Sequence, residues 1–582
     1  MHRKVVVAAA LGECVHVAGV SNFLRLAEAA GWQTVFLGPA VSIQSVLEAA
    51  RREKAELVGV SYRLTPETGE RLLGQFAEEA SELRAQGVRF AFGGTPPVAE
   101  RVRRLGFFER VFAGREMPED VLAYLKGQTG PGESEADYPQ TMVERIRAKF
   151  PYPILRHHFG LPTMQATLRG IQQIAEARAL DVISLGTDQE AQEHFFHPER
   201  QDKRRMGAGG VPVRSAEDYR ALYAASRTGN FPLLRTYSGT DDFVRLAELY
   251  VQTINIAWCA IPLFWFNRMD GRGPWDLEGS IREHQGLMRW YGERGRPVEL
   301  NEPHHWAMRD APDVICVAAA FLSAYNAKKA GVHDYIAALM FNSPPGLSDA
   351  MDLAKMLAVL ELVGTLTPDP SPEGRGERFA PPGPFPEGER GAAPSPFGGG
   401  QGEGGFRVWK QTRSGLLSYP LEPNAARGHL AASIYLQMAL KPDIVHIVGQ
   451  TEADHAATAE DVIAASRMAR RAIENAVRGA PDMTADPAVQ RRKAELMAEA
   501  RVTLEAIRRL AGPGVEDAWS EPATLAKAVT SGILDAPQLQ NNPFGRGKIR
   551  SRILDGMCVA VDAGGRPISE SERLVALGEE HK

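Results

Sequence analysis

Twice along the 582-residue chain, short runs of consecutive apolar residues alternate with amphipathic stretches. That alternation constrains the fold more than any other feature. Strands that are apolar on both faces must be covered on both faces. Helices between them supply the cover, so the sheet is parallel. The first series occupies residues 1–127, with strands expected at Lys4–Ala10, Gln33–Gly38, Leu57–Ser61, Val88–Phe92 and Arg110–Ala113. Five such strands predict a doubly wound α/β domain that takes its ligand at the strand carboxyl ends.

The second series runs over residues 151–535 at longer spacing. Strands are expected at Asp181–Gly186, Pro232–Ser238, Ile261–Asn267, Pro297–Asn301, Tyr335–Asn342, Arg407–Arg413 and Ile444–Gly449, with an eighth near Pro153–His158. Eight strands, each followed by a helix, predict a (β/α)8 TIM-like barrel; an open seven-stranded sheet is the alternative. Several strands end in polar residues, and the carboxyl ends of barrel strands are where active sites are built. Gly127–Asp137 is polar and Gly-rich, so 128–150 reads as a linker. Thr367–Gly405 holds nine Pro and eleven Gly with no Leu, Ile or Val, so it cannot bury a core. Because strands are expected on both sides of it, it reads as a disordered insertion in a surface loop. Residues 460–509 are Ala-, Arg- and Glu-rich and helical; they cover the barrel or extend an interface, which leaves a homodimer open. Residues 536–582 form a C-terminal extension with no assigned role.

Composition narrows the function. Net charge is −5 and no basic tract stands out, so nucleic acid is not an expected partner. No stretch of about 20 apolar residues exists to span a membrane. The four cysteines, Cys14, Cys259, Cys316 and Cys558, are far apart, which excludes a disulfide framework and the C-x-x-x-C-x-x-C cluster of radical-SAM enzymes. A reducing cytoplasm is the expected compartment.

Three short elements fall at the carboxyl ends of the first, third and fourth strands of the N-terminal series. They are Gly12-Glu-Cys-Val-His-Val-Ala-Gly19, Val60-Ser61-Tyr-Arg-Leu64 and Phe92-Gly93-Gly94-Thr95. Together they resemble the cobalamin-binding domains of the methionine synthase and mutase type, which are flavodoxin-like and carry D-x-H-x-x-G, S-x-L and G-G at these places. The resemblance implies that His16 is the metal ligand, axial to cobalt, and that Gly19 admits the corrin tail. It implies that Ser61 hydrogen-bonds the displaced nucleotide base, and that Gly93 and Gly94, followed by Thr95, leave room for the tail. Two departures stand out. Cys14 occupies the place of the orienting Asp, and Leu64 lies one residue late.

The barrel half resembles the large catalytic subunit of glutamate mutase (methylaspartate mutase), in order over most of residues 181–480. The residues that carry this are Gly210-Val-Pro-Val-Arg214, Phe231-Pro-Leu-Leu-Arg235-Thr-Tyr-Ser-Gly239, Asp276 to Gln285, and Glu299-Leu-Asn-Glu-Pro303. The resemblance implies an adenosylcobalamin-dependent carbon-skeleton mutase acting by a radical mechanism on a small carboxylic acid or its derivative. Arg235 would grip a carboxylate, and Asn301 and Glu302 stand at the next strand end as candidate catalytic residues. Asn301 replaces a second carboxylate-binding arginine, so a monocarboxylate or thioester is expected in preference to glutamate. The alternatives are a corrinoid methyl-transfer protein and a non-catalytic cobalamin sensor or store. His304 and His305 follow Glu302 closely, which suggests a metal, but adjacent histidines lack the i, i+4 geometry of helical metal pairs, so local hydrogen bonding is expected instead.

Overall fold

The computed structural model describes residues 4–114, 116, 118–127, 135–367 and 405–579. The expected insertion therefore lies, apart from its ends, outside the described residues. The chain divides into two compact units, Met1–Asp137 and Tyr138–Lys582.

The first unit is a parallel five-stranded sheet: β1 (Val5–Leu11), β2 (Gln33–Val41), β3 (Leu57–Tyr62), β4 (Arg89–Gly94) and β5 (Arg110–Phe112), in the order β2-β1-β3-β4-β5. Alternate residues of a strand point to opposite faces. Val7, Ala9, Val58, Val60, Phe90 and Phe92 thus pack into one apolar layer, and Val6, Ala8, Leu57 and Ala91 into another. The order reverses between β1 and β3, and in a sheet of this order a ligand sits in the crevice at that point.

The second unit is a closed barrel of eight parallel strands: β6 (Ile154–Phe159), β7 (Val182–Leu185), β8 (Leu233–Tyr237), β9 (Cys259–Ile261), β10 (Val298–Leu300), β11 (Asp334–Phe341), β12 (Arg407–Ser414) and β13 (Ile444–Ile447). The open-sheet alternative falls with the closure of β13 onto β6. At the amino-terminal end an apolar layer of Ile154, Val182, Leu233, Trp258, Ile336, Trp409 and Ile444 is covered by Met142 and Ile146. Those two belong to the helix Met142–Lys149, in the stretch expected as a linker.

One strand is displaced from its expected place. β9 ends at Ile261, and the aromatic run Phe264–Phe266 is irregular backbone, with Phe266 at φ +63°. The C-terminal extension contributes an antiparallel hairpin, β14 (Ser551–Leu554) and β15 (Met557–Ala560), and a helix, Glu570–Glu579.

Candidate cofactor and substrate sites

In the first unit, register brings the expected residues together at one end of the sheet. Ala10 pairs with Ser61 and Ser61 pairs with Gly93. The loop after β1 turns at Gly12, whose φ is +64° and whose N–H donates to the Val41 carbonyl. It then carries Cys14 inward and His16 outward: Cys14 is buried and His16 exposed. The Cys14 Sγ lies 4.0 Å from His16 Nδ1, a weak contact compared with a carboxylate hydrogen bond. Gly19 is exposed in the first turn of the helix Ala18–Ala29, and a Cβ there would meet nothing within 4 Å. The Ser61 hydroxyl is buried and has no hydrogen-bond partner among the described residues. The two glycines after it differ. A Cβ on Gly93 would meet nothing within 4 Å, whereas one on Gly94 would sit 2.7 Å from the Tyr62 carbonyl oxygen. Leu64 is exposed, and Thr95 is the N-cap of the helix Pro96–Arg104. An outward imidazole, an unsatisfied buried hydroxyl and an open glycine at one crevice fit a group carrying both a metal and a polar tail.

Comparison with known proteins bears on this unit. Residues 4–122 match a family model described as the B12 binding domain. The N-terminal unit is a B12-binding domain. No curated protein matches the chain. Among solved structures, a cobalamin-binding protein from Desulfitobacterium hafniense DCB-2 is 22% identical, covering 21% of this chain and 56% of that one, with a TM-score of 0.19. This chain thus spans little more than half the length of that protein. The YdjI aldolase from Escherichia coli K12 is 12% identical over 57% of this chain and 91% of its own, with a TM-score of 0.26. A 2,3-dimethylmalate lyase of the PEP mutase/isocitrate lyase superfamily is 11% identical over 62% and 97%, with a TM-score of 0.27.

In the barrel, alternate strands β6, β8, β10 and β12 send Arg156, Arg235, Glu299 and Gln411 into the interior. A layer of four side chains from alternate strands is usual for such a barrel, but bulky aliphatic residues normally fill it. Here the layer is charged. Glu299 Oε2 accepts from Arg156 at 2.7 Å, from Arg235 at 2.9 Å and from the Trp258 indole at 2.7 Å. Arg156 also donates to Gln411 Oε1 at 2.7 Å. The two guanidiniums hold the Glu299 carboxyl far below the usual carboxylate range, against its burial. Arg235 thus pairs with Glu299 rather than with Asp241 or Asp242. Its Nε and Nη1 have no partner among the described residues.

Two residues further along the same strands lie His158, Tyr237 and Arg413. The His158 ring stacks on Tyr237 at 5.5 Å and meets His446 of β13 edge-on at 4.8 Å. The Tyr237 hydroxyl is 3.1 Å from His158 Nε2. Burial, and then the neighbouring Arg156 and Arg413, push the imidazoles of His158 and His446 well below their ordinary range. His304 behaves alike, with Arg413 its foremost charged neighbour. All three are neutral at pH 7.

Asn301 is the N-cap of the short helix Glu302–Ala307, and its buried Oδ1 is without a partner among the described residues. Glu302 is fully buried. Its Oε1 accepts the N–H of Phe264 at 2.9 Å and that of Leu263, and burial pushes its carboxyl up to about 8. It therefore holds the irregular segment after β9, in place of ladder bonds that a longer strand would have made. Arg156 escaped the sequence reading, and Glu299, Gln411 and Arg413 fell in stretches it marked as strand ends but were given no role. Their signal was a charged or amide residue inside an otherwise apolar strand, with a second polar residue two positions on. His304 and His305 do not converge with other ligating groups; among the described residues that arrangement is made by His197, Asp241 and Asp242, where His197 Nε2 lies 3.0 Å from Asp242.

Proposed function

We propose that this chain is an adenosylcobalamin-dependent carbon-skeleton mutase that binds a small carboxylic acid, or its derivative, in the barrel. The observation that carries the reading is the charged layer. Arg156, Arg235 and Arg413 face one carboxylate, Glu299, while the adjoining imidazoles are neutral, so the interior has an excess of positive charge. Uncompensated buried charge is costly, and it is kept where a ligand of opposite sign is used. A guanidinium with free N–H groups, such as Arg235, suits the two oxygens of a carboxylate. Arg156 and Arg413 also supply the charge that Asn301 does not, so the substrate need not be limited to one acidic group.

In the B12-binding domain, His16 would hold the metal, and Gly19, Ser61, Gly93 and Gly94 the tail, with Cys14, Leu64 and Thr95 at the edges. The bound group supplies a homolytically labile cobalt–carbon bond, the source of radical chemistry. The barrel residues bind, orient and exclude water: Trp258, Tyr237 and the three imidazoles wall the charged layer, which strengthens its interaction with an anion.

The test is paramagnetic resonance and turnover of the reconstituted full chain. Imidazole nitrogen splitting in the cob(II)alamin form should vanish in His16→Ala. Candidate acids should generate a radical signal in the wild type, and Arg235→Lys, which keeps the charge but loses the fork, should cut turnover at least tenfold while cobalamin affinity is unchanged. Inertness toward every acid tried, with cobalamin bound, would support the sensor or storage reading, and methyl transfer from methylcobalamin the corrinoid methyl-transfer reading.

A further inference from the structure

We infer that the barrel selects acids without an amino group, because among the described residues no carboxylate is left free in its interior to pair with an ammonium. This rests on the reading of the barrel as the acid-binding site, and it names the substrate class more closely.

Recognition of an α-amino acid needs an acceptor for the ammonium beside the donor for the carboxylate. Buried, such a cation requires a charged partner or several aligned carbonyl oxygens. Among the described residues of the charged layer, the acidic group is Glu299. One of its oxygens, Oε2, already accepts from Arg156, Arg235 and Trp258, and those guanidiniums leave the carboxylate electrostatically spent. Buried Glu190, after β7, pairs with Arg205 at 2.8 Å, and three further acids near the carboxyl ends of the strands are likewise committed. Asp188 pairs with Arg214 at 2.6 Å, Asp242 with His197, and Asp270 with Arg272 at 2.8 Å. Glu302 is held by the backbone of Leu263 and Phe264, and its charged neighbours are Arg309 and Asp270 rather than the barrel arginines. Glu452, in the loop after β13, is exposed, and its charged neighbour is Arg413.

The other polar groups facing the arginines include the Tyr237 hydroxyl, 3.1 Å from His158 Nε2, and the imidazoles of His158, His304 and His446. His304 Nε2 and both ring nitrogens of His446 have no partner among the described residues. As neutral imidazoles, each offers one donor and one acceptor. They suit a hydroxyl, a carbonyl or an amide on the substrate. An ammonium would instead meet three guanidiniums across a low-dielectric interior, where like charges repel strongly.

The experiment uses the full chain with cobalamin bound and reads ligand affinity by calorimetry, without turnover. The probes are matched sets that differ at one carbon: glutarate, 2-hydroxyglutarate and glutamate, then butyrate, 2-hydroxybutyrate and 2-aminobutyrate. Within a set, the amino acid should bind about tenfold or more weakly than its deaminated or hydroxylated counterpart. Glu452→Gln should leave that ranking unchanged. An amino acid that binds as tightly as its counterparts overturns the inference while leaving the acid-binding barrel standing. If no acid of either kind binds, or if binding is undiminished in Arg413→Ala, the acid-binding reading itself falls, and the inference with it.

Discussion

Glu302 shows how one buried side chain sets a pH dependence. Its folded-state carboxyl titrates at about 8, above the ordinary 4.5, so the folded chain holds a proton that the unfolded chain has released. The stabilising contribution is complete below pH 4.5 and is lost as pH rises toward 8, at about 1.4 kcal/mol per pH unit across that interval. Glu302→Gln keeps an acceptor for the Leu263 and Phe264 N–H groups without the titration. Its stability relative to wild type should therefore climb from pH 5 to pH 8 in denaturant titrations; a flat difference would refute the assignment. The buried imidazoles act in the opposite sense, since they resist protonation and cost stability below about pH 6.5, but both proteins share them. The adjacent glycines Gly93 and Gly94 give a second residue-scale test. Gly94→Ala drives a methyl to 2.7 Å from the Tyr62 carbonyl and should destabilise the B12-binding domain by about 1–3 kcal/mol. Gly93→Ala meets open space, so stability should stay within about 0.5 kcal/mol while cobalamin affinity falls. Equal loss of stability in both would mean that Gly93 serves packing alone. The gathering of His16, Ser61 and this glycine pair at one end of the sheet was legible in the sequence, because a loop between strand and helix exposes its motif as a contiguous string. Of the barrel charges only Arg235 was singled out, because Arg156, Glu299 and Gln411, which complete its layer, come together from positions up to 255 residues apart.

At the scale of elements, the strands were read nearly everywhere from apolar runs, since burial on both faces leaves little room for polar residues. The exception is instructive. Phe264-Trp-Phe266 has the composition of a strand, yet it is loop, because the Glu302 carboxyl accepts the Phe264 N–H, Asp270 accepts the Phe266 N–H, and the aromatic rings bury themselves against Trp306 and His305. Composition does not reveal which partner a backbone donor will find. The C-terminal hairpin could not be placed in advance for a similar reason. The Cys558 N–H in β15 donates to Asp313, which also lies 3.4 Å from Lys355, and Lys355 lies 2.9 Å from Asp352. Arg492 of the long helix Pro487–Arg508 reaches the same Asp313 at 3.4 Å. Three helices and a hairpin therefore meet on one buried ion cluster. Lys355→Met would leave Asp352 without a cation and Asp313 with Arg492 alone, and should cost about 3–5 kcal/mol, seen as a marked fall in melting temperature. A loss below about 1 kcal/mol would show that the cluster relaxes without its lysine.

For the molecule as a whole, β11 and β12 pair in unbroken register from Asp334–Arg407 to Phe341–Ser414, although Thr367–Gly405 separates them in sequence. A long loop closes at little more entropic cost than a short one, about 0.6 kcal/mol per doubling of length. Replacing residues 368–404 by a short Gly/Ser linker should thus leave melting temperature and cobalamin binding within error, and aggregation of that variant would contradict the surface-loop reading. Among the described residues no helix is long and apolar enough to cross a membrane. The charged layer inside the barrel has its own consequence for how such a chain can change. Arg413 makes no ion pair among the described residues; its Nε reaches only the Ser414 carbonyl oxygen, at 3.4 Å, and burial disfavours its charge. Exchanging it for methionine would relieve repulsion from Arg156 and Arg235, so durability and the proposed capture of an acid pull this position in opposite directions. A laboratory population screened for heat resistance alone would discard Arg413 early, and the survivors would be sturdier barrels without a cation proposed to attract the acid.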